Sequence, residues 1–190
     1  LVNFGNRVLK SKFLNIITSL SISGYAIPGI IIAVSVISFF ASLSDLLNIN
    51  LKSMFIGTFF GLIVGYFLRF YSISYNSIKS NYFKINYSID ESAYLLGFNK
   101  YKTCSKVHWP IMKKNVYFIF ILIAIEIIKE LPITLILRPF NFDTFSSKAY
   151  QFASQDLIEA ASVPCLFVIF WASLLILISH KYFFDVQNKL

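Results

Sequence analysis

Uncharged apolar runs long enough to cross a lipid bilayer dominate this sequence. Residues 13–44 carry no charged side chain, and residues 160–179 form a second such run. A hydrocarbon core of about 30 Å requires roughly 20 apolar residues of helix. Hydrophobic residues make up 57% of the chain and charged residues only 14%, with a mean hydropathy of +0.69, which leaves too little polar surface for a soluble globule. The sequence therefore predicts an all-α transmembrane, polytopic helical bundle.

The distribution of charge predicts an orientation in the membrane. Four spans are predicted, at about residues 20–43, 53–70, 115–137 and 160–180. Of the seventeen Lys and Arg residues, thirteen then fall on the face that holds both ends and the segment 71–114, three fall on the other face, and Lys129 lies inside. Positive charge gathers on the cytoplasmic side, so both ends and 71–114 are expected there and 138–159 is expected to be periplasmic. The net charge of +8 then needs no nucleic-acid partner. Because the chain starts at Leu1 without a Met, we expect a fragment of a longer chain.

Three glycines in the second predicted span indicate close helix packing. Gly57, Gly61 and Gly65 repeat every four residues and would share one helix face. Small residues at this spacing let the backbone of a second membrane helix approach closely. We therefore predict a packing role for all three.

Three charges interrupt the third predicted span. Glu126, Lys129 and Glu130 precede Pro132, and each unpaired charge at the bilayer centre costs roughly 2.5 to 3.5 kcal/mol on insertion scales. Glu126 and Lys129 are three apart on a helix, so an ion pair between them is predicted. Two interpretations stay open. This face lines a water-filled path, where the two carboxylates set the potential for a cation or its chelate, or it only stabilises a kink and contacts another helix.

The basic segment contains a candidate docking element at residues 91–110. Acidic residues near Ser88 and Asp90 favour a short helix, with one of these two as its cap, and Gly97 is expected to end it. A second short helix is expected to stop at Pro110. Exposed apolar groups at such a place favour a protein partner on the cytoplasmic side, and the apolar side chains are Ala93, Leu95, Leu96 and Phe98.

The chain has no pattern for catalysis, a cofactor or a metal. Cys104 and Cys165 form no Cys-x-x-Cys pair. His108 and His180 have no metal-ligand neighbour at a useful spacing and are expected at the membrane interface. No phosphate-binding GxxxxGK[ST] is present, so any ATP would be hydrolysed by another chain. We expect a non-enzymatic membrane subunit.

The loop residues resemble a known motif. The spacing of Glu91, Ala93, Gly97, Val107 and Pro110 is similar to the cytoplasmic Glu-Ala-Ala loop of ABC-importer permeases, with Ser92 and Trp109 departing from the usual pattern. By this resemblance the loop inserts into a groove of an ABC ATPase subunit. Glu91 would supply a polar contact, Gly97 would fix the angle between two short helices, and the apolar residues, Leu96 among them, would dock.

Two further stretches extend the resemblance to iron(III)-type permeases of binding-protein-dependent importers. "KELPITLILRPFNFDT" at residues 129–144 and "GYAIPG" at 24–29 are both similar to that family. The resemblance implies a methionine-importer-type permease fold and transport of ferric iron, with thiamine, phosphonates or polyamines as alternatives. It implies a periplasmic solute-binding protein and a second permease half or copy as partners, in a bacterial inner membrane. Arg138 and Asp143 would then lie where the binding protein docks or gates.

Two rival functions remain open from sequence. An ion-coupled secondary transporter would use Glu126 and Glu130 as a proton or ion relay. A membrane scaffold that transports nothing would need neither these carboxylates nor the loop.

Overall fold

A computed structural model describes residues 2–9, 16, 18–19 and 22–187, and every regular element in this part of the chain is helical. Residues 20–21 of the first predicted span, and Lys10, Lys12 and Lys189 of the charge count, lie outside it. The helices are α1 (Val2–Leu9), a 3-10 turn (Ser23–Tyr25), α2 (Gly29–Leu47), α3 (Lys52–Phe55), α4 (Phe59–Phe83), α5 (Tyr87–Leu95), α6 (Lys100–Lys102), a π-helical segment (Thr103–His108), α7 (Trp109–Lys129), α8 (Pro132–Leu137), α9 (Phe145–Ser154) and α10 (Ile158–Gln187).

Two of these helices are long and apolar enough, by length and composition, to cross a membrane. They are Gly29–Leu47 and Ile158–Lys181, and both are mostly exposed, unlike the core helices of a soluble protein. The first begins later than the predicted residue 20, because Pro28 is its N-cap, with φ −54° and ψ 137°. Proline fits the start of a helix because it has no N–H to donate there. The other two predicted spans remain predictions.

The predicted three-glycine face is wrong for Gly57. This residue lies before α4 with φ +67°, in the left-handed region that favours glycine. Thr58 then caps α4, because its Oγ1 accepts a hydrogen bond from the backbone N–H of Gly61. Gly61 meets the backbone of Phe55, since a Cβ there would lie 1.8 Å from the Phe55 carbonyl oxygen. Gly65 faces another helix, and a Cβ there would lie 2.7 Å from Leu137 Cδ1.

The basic segment 71–114 is mostly helical, and its cytoplasmic position remains a prediction. Helix α4 runs on to Phe83, beyond the expected loop start at 71, and a continuous helix begins at Lys100. Pro110 does not end that helix. The preceding turns are π-helical, with the Trp109 N–H bonded to the Cys104 carbonyl five residues back. The wider turn accommodates a proline that donates no hydrogen bond and whose ring would crowd a regular turn. Within 71–114, the residues outside helices are limited to 84–86 and 96–99.

The core of the described chain forms around the short helix α8. Ile133 and Leu137 of α8 are fully buried against α2 and α4. Their buried partners are Ile32, Ala33, Val36 and Leu62. The third predicted span is therefore not one straight helix, because α7 ends at Lys129 and α8 starts at Pro132. At this break Glu130 is buried in the interior of the bundle, whereas Lys129 is exposed.

Candidate functional site

A buried ion pair lies at the break between α7 and α8. Arg69 Nε of α4 is 3.2 Å from Glu130 Oε2, and the side chain of Glu130 is only 8% exposed. The N–H of Arg69 is not aligned on that oxygen, so the contact is an ion pair rather than a linear hydrogen bond. Burial removes water from both charges, so each depends on the other for compensation.

Arg69 also reaches a second break in the helical structure. Its Nη1 donates to the carbonyl oxygen of Ile27 at 2.9 Å, and its guanidinium lies 5.9 Å from the ring centroid of Tyr25. Ile27 immediately precedes the proline that starts α2. Arg69 is one of the thirteen charges assigned above to the cytoplasmic face, as part of a basic loop, and this assignment to a loop is wrong, because Arg69 lies within α4 and faces the core. One guanidinium therefore joins the "GYAIPG" and "KELP" stretches.

Glu130 belongs to the start of α8 rather than to the face of α7. Its Oε1 accepts from the Ile133 N–H at 3.5 Å, and its carbonyl accepts from Thr134 Oγ1 at 3.0 Å. A spacing of four residues on a continuous helix would place Glu126 and Glu130 on one face, but they do not share a face, because the backbone of Glu130 is extended, with ψ 125°. A carboxylate at the start of a helix satisfies N–H groups that have no partner within the helix.

Gly29 makes room for this carboxylate. A Cβ at Gly29 would lie 2.9 Å from Glu130 Oε1 and 3.3 Å from both Pro132 and Ile133. Such distances force the neighbouring atoms to move. The two motif stretches thus meet at a place where only glycine fits.

Gly29→Ala is expected to lower the free energy of unfolding by about 1 to 3 kcal/mol, because it overpacks the contact with Glu130 and Pro132. Gly5→Ala is the matched control. Gly5 lies inside α1 with open space around its missing Cβ, so its replacement is expected to be neutral or stabilising by about 0.5 to 1 kcal/mol. Thermal unfolding of the complete protein in detergent measures both. Equal effects of the two changes would contradict the close approach.

The second pair of charges is more accessible. Lys129 Nζ lies 2.7 Å from Glu126 Oε1, so the ion pair predicted from their spacing is confirmed. The Lys129 side chain is 53% exposed. The carbonyl of Ile128, freed one turn before Pro132, accepts a hydrogen bond from Ser146 Oγ of α9. Of the three charges that interrupt the predicted span, Glu126 and Lys129 are thus the ones that water or a solute reaches most easily.

An ion pair between Arg138 and Asp143 holds the start of segment 138–159, which is predicted to be periplasmic. Arg138 Nη1 contacts Asp143 Oδ1 and donates to the Phe142 carbonyl at 3.1 Å. Asp143 also accepts from Gln151 Nε2 at 2.9 Å, while Thr144 and Ser147 form a capping box at the start of α9. These contacts give Arg138 and Asp143 a structural role in the turn between α8 and α9. Docking or gating by these two residues remains a prediction.

Gly97 ends α5 as the sequence predicts. Its φ is +78°, its N–H donates to the Tyr94 carbonyl at 2.9 Å, and the Phe98 N–H donates to the Ala93 carbonyl at 3.0 Å. This is the Schellman arrangement, in which a left-handed residue closes the helix. The predicted side-chain cap at Ser88 or Asp90 is wrong, because the N-cap is Asn86 and makes no side-chain hydrogen bond. Glycine suits position 97 for conformational reasons, since nothing lies within 4 Å of its missing Cβ.

The end of α5 presents a large apolar surface. Leu95 is 89% exposed and Leu96 is 76% exposed, and Tyr94 and Tyr101 are exposed beside them. We call these four residues the loop surface. Ala93 is buried, so the expectation that it helps to form an apolar docking surface is wrong. The loop surface is the part of residues 84–99 and α6 that a protein partner could cover.

Acidic and histidine side chains of the loop differ from expectation. Glu91 is exposed, and its neighbour Asp90 is the buried carboxylate, whose Oδ1 accepts from His108 Nε2 at 2.6 Å. His108 is fully buried and not interfacial. Burial raises the pKa of the nearby Tyr82 hydroxyl to about 12, so this hydroxyl stays neutral at physiological pH.

Within the described residues, no three His, Cys, Asp or Glu side chains are grouped as a metal site would need.

Sequence reasoning missed Arg69 and Asp90 as interior groups. A signal for Arg69 was available, because it directly follows an apolar run that holds Gly65, and an arginine in that position faces protein more often than lipid. No comparable signal marked Asp90, since its partners lie on other elements.

Comparison with known proteins finds a transport permease similar to this chain. The chain is 23% identical over 160 residues to the Fe(3+)-transport system permease protein FbpB 2 of Haemophilus influenzae. The aligned part is 84% of this chain and 30% of that relative, so this chain spans less than a third of the relative's length. The resemblance to iron(III)-type permeases is thereby confirmed. No family model matches the chain, and no solved structure matches it.

Proposed function

We propose that this chain is the permease component of an ATP-driven importer in a bacterial inner membrane, and that ferric iron is its cargo. The observation that carries the proposal is the similarity, over 84% of the chain, to a permease named for Fe(3+) transport. Thiamine, phosphonates and polyamines remain alternative cargoes. The chain itself hydrolyses nothing in this proposal, because its sequence has no phosphate-binding loop.

The loop surface is the proposed contact with an ABC ATPase subunit. Two neighbouring leucines, almost fully exposed, stand at the end of a short helix whose direction is set by Gly97. Apolar groups presented in this way lose contact with water when a partner groove covers them. Glu91 is exposed beside them and adds a polar contact. Closure of the ATPase on ATP would then move α5 and change which side of the membrane the path opens to.

The Glu126–Lys129 pair is the proposed polar lining of the path. It is the more accessible of the two intramembrane pairs, while Glu130 is occupied by Arg69 and by the start of α8. Glu130 and Pro132 therefore set the shape of the break, and cargo meets Glu126 and Lys129. A periplasmic solute-binding protein delivers the cargo, with Arg138 and Asp143 on the receiving side.

The proposal includes a methionine-importer-type fold with four spans in this chain and both ends of it in the cytoplasm. A second permease half or a second copy completes the path, and lipid covers the exposed apolar faces. The cytoplasmic position of residues 71–114 follows from the excess of Lys and Arg on that face.

Energy coupling distinguishes this function from an ion-coupled transporter. We would purify the complete protein from its native membrane, identify the ATPase and binding protein that accompany it, and measure uptake of ⁵⁵Fe(III) into vesicles. Uptake is expected to need ATP and to persist when an uncoupler collapses the proton gradient. Uptake that stops with the uncoupler while ATP stays high, and that is lost in Glu126→Gln with the loop intact, would replace the proposal with the ion relay. Unaltered uptake both in Glu126→Gln and after deletion of residues 91–98 would indicate a scaffold.

A further inference from the structure

A second charged cluster lies where α1, α4, α5 and the π-helical segment meet. Arg7 Nε of α1 donates to Asp90 Oδ2 at 2.8 Å, and the other oxygen of Asp90 accepts from His108 Nε2 at 2.6 Å. The Arg7 side chain is only 7% exposed. Arg7 is 83 residues from Asp90 in the sequence, so this contact joins the start of the described chain to the loop.

The same guanidinium also binds the end of α4. Its Nη1 donates to the carbonyls of Tyr82 at 3.0 Å and Ile85 at 2.9 Å, and its Nη2 donates to the Asn86 carbonyl at 3.1 Å. Tyr82 lies in the last turn of α4, where the carbonyls carry the negative end of the helix dipole, and Ile85 and Asn86 form the turn into α5. The Tyr87 ring centroid lies 4.3 Å from the guanidinium carbon. Only a planar side chain with several N–H donors makes all these contacts together.

Two further contacts hold α1 in this position. Asn3 Nδ2 donates to the Tyr75 carbonyl of α4 at 3.1 Å. The ring of Phe4 meets the ring of His108 edge-on, with centroids 5.3 Å apart. Helix α5, which presents the loop surface, is thus tied through Asp90 both to α1 and to the segment that leads into α7.

We propose that Arg7 is a positioning residue for energy coupling, because it fixes α5 to α1 and α4 so that movement of the loop surface is transmitted to the membrane helices. This inference rests on the proposed function. Without Arg7, α5 would keep its Schellman end, its exposed leucines and the contact between Asp90 and His108, but it would lose its link to α1 and α4. The ATPase would still bind, but its closure on ATP would no longer open the path efficiently.

Reconstitution of the complete protein with its ATPase and binding protein tests this directly. Arg7→Lys keeps the positive charge but loses the planar guanidinium with its several N–H donors. It is expected to lower the amount of solute imported per ATP hydrolysed about ten-fold, which is within the usual range of coupling between sites. ATPase binding and the rate of hydrolysis are expected to stay as in the wild type. Lys79→Met is the matched control, because Lys79 is a nearby exposed cation, and its ratio is expected not to change.

A spin-label measurement provides a readout independent of transport. Labels at Leu96→Cys and at Phe67→Cys of α4, both exposed positions, are placed in a chain whose Cys104 and Cys165 are replaced by serine. The distance distribution is expected to be narrow with Arg7 and broad with Arg7→Lys or Arg7→Met. A wild-type import ratio together with a narrow distribution in Arg7→Lys would overturn the inference and leave the proposed function standing. Failure of the wild-type protein to recruit any ATPase would overturn the proposed function and the inference with it.

Discussion

Arg69→Ala is expected to destabilise the protein by about 3 to 5 kcal/mol, because it leaves the buried carboxylate of Glu130 without a cation. The neighbouring Lys129 cannot take over without giving up Glu126, with which it is already paired at 2.7 Å. The Ile27 carbonyl loses its donor as well. The start of α2 and the break between α7 and α8 would therefore lose the side chain that joins them. The free energy of unfolding of the complete protein in detergent is the quantity to measure.

Lys129→Ala is the control for this prediction. It also removes one cation from an ion pair, but Lys129 is half exposed, so the expected cost is only about 0 to 1 kcal/mol. The double change Arg69→Ala with Glu130→Gln is expected to recover part of the loss, because a neutral amide costs less to bury than an unpaired carboxylate. Equal costs for Arg69→Ala and Lys129→Ala would show that water reaches Glu130.

The double substitution Leu95→Glu and Leu96→Glu is expected to release the ATPase subunit from the membrane. Two carboxylates would have to enter an apolar groove, at a cost of about 2 kcal/mol or more for each, which is roughly a thousand-fold loss of affinity in total. The fold itself should be unaffected, because both side chains point into solvent. Co-purification of the ATPase with the permease is the measurement.

The adjacent pair Leu157 and Ile158 offers a matched control. Both residues are exposed and apolar, and they lie at the start of α10, in or beside the segment predicted to be periplasmic. Leu157→Glu with Ile158→Glu is expected to leave the ATPase bound. Release of the ATPase by this pair too, or its retention after substitution of Leu95 and Leu96, would contradict the assignment of the loop surface.

Local rules accounted for several features correctly. The Glu126–Lys129 pair follows from a spacing of three residues on a helix, and the end of α5 follows from glycine at position 97. Both depend on residues within one turn of each other. The wrong expectations also came from residue type and spacing, at positions where the surrounding helix differs from the one assumed. Gly57 shares the spacing of Gly61 and Gly65 yet lies outside the helix, and Pro110 lies inside a helix because a π-helical segment precedes it.

The sequence by itself determined that the chain is apolar and helical, that it carries a net positive charge, and that it resembles iron(III)-type permeases. These properties depend on composition and on short-range patterns. Only the tertiary structure decided that Arg69 pairs with Glu130, that Asp90 rather than Glu91 is buried, and that Arg7 holds the loop. Each of these contacts joins helices far apart in the sequence, and the choice of partner depends on which side chains the packed helices bring together and shield from water.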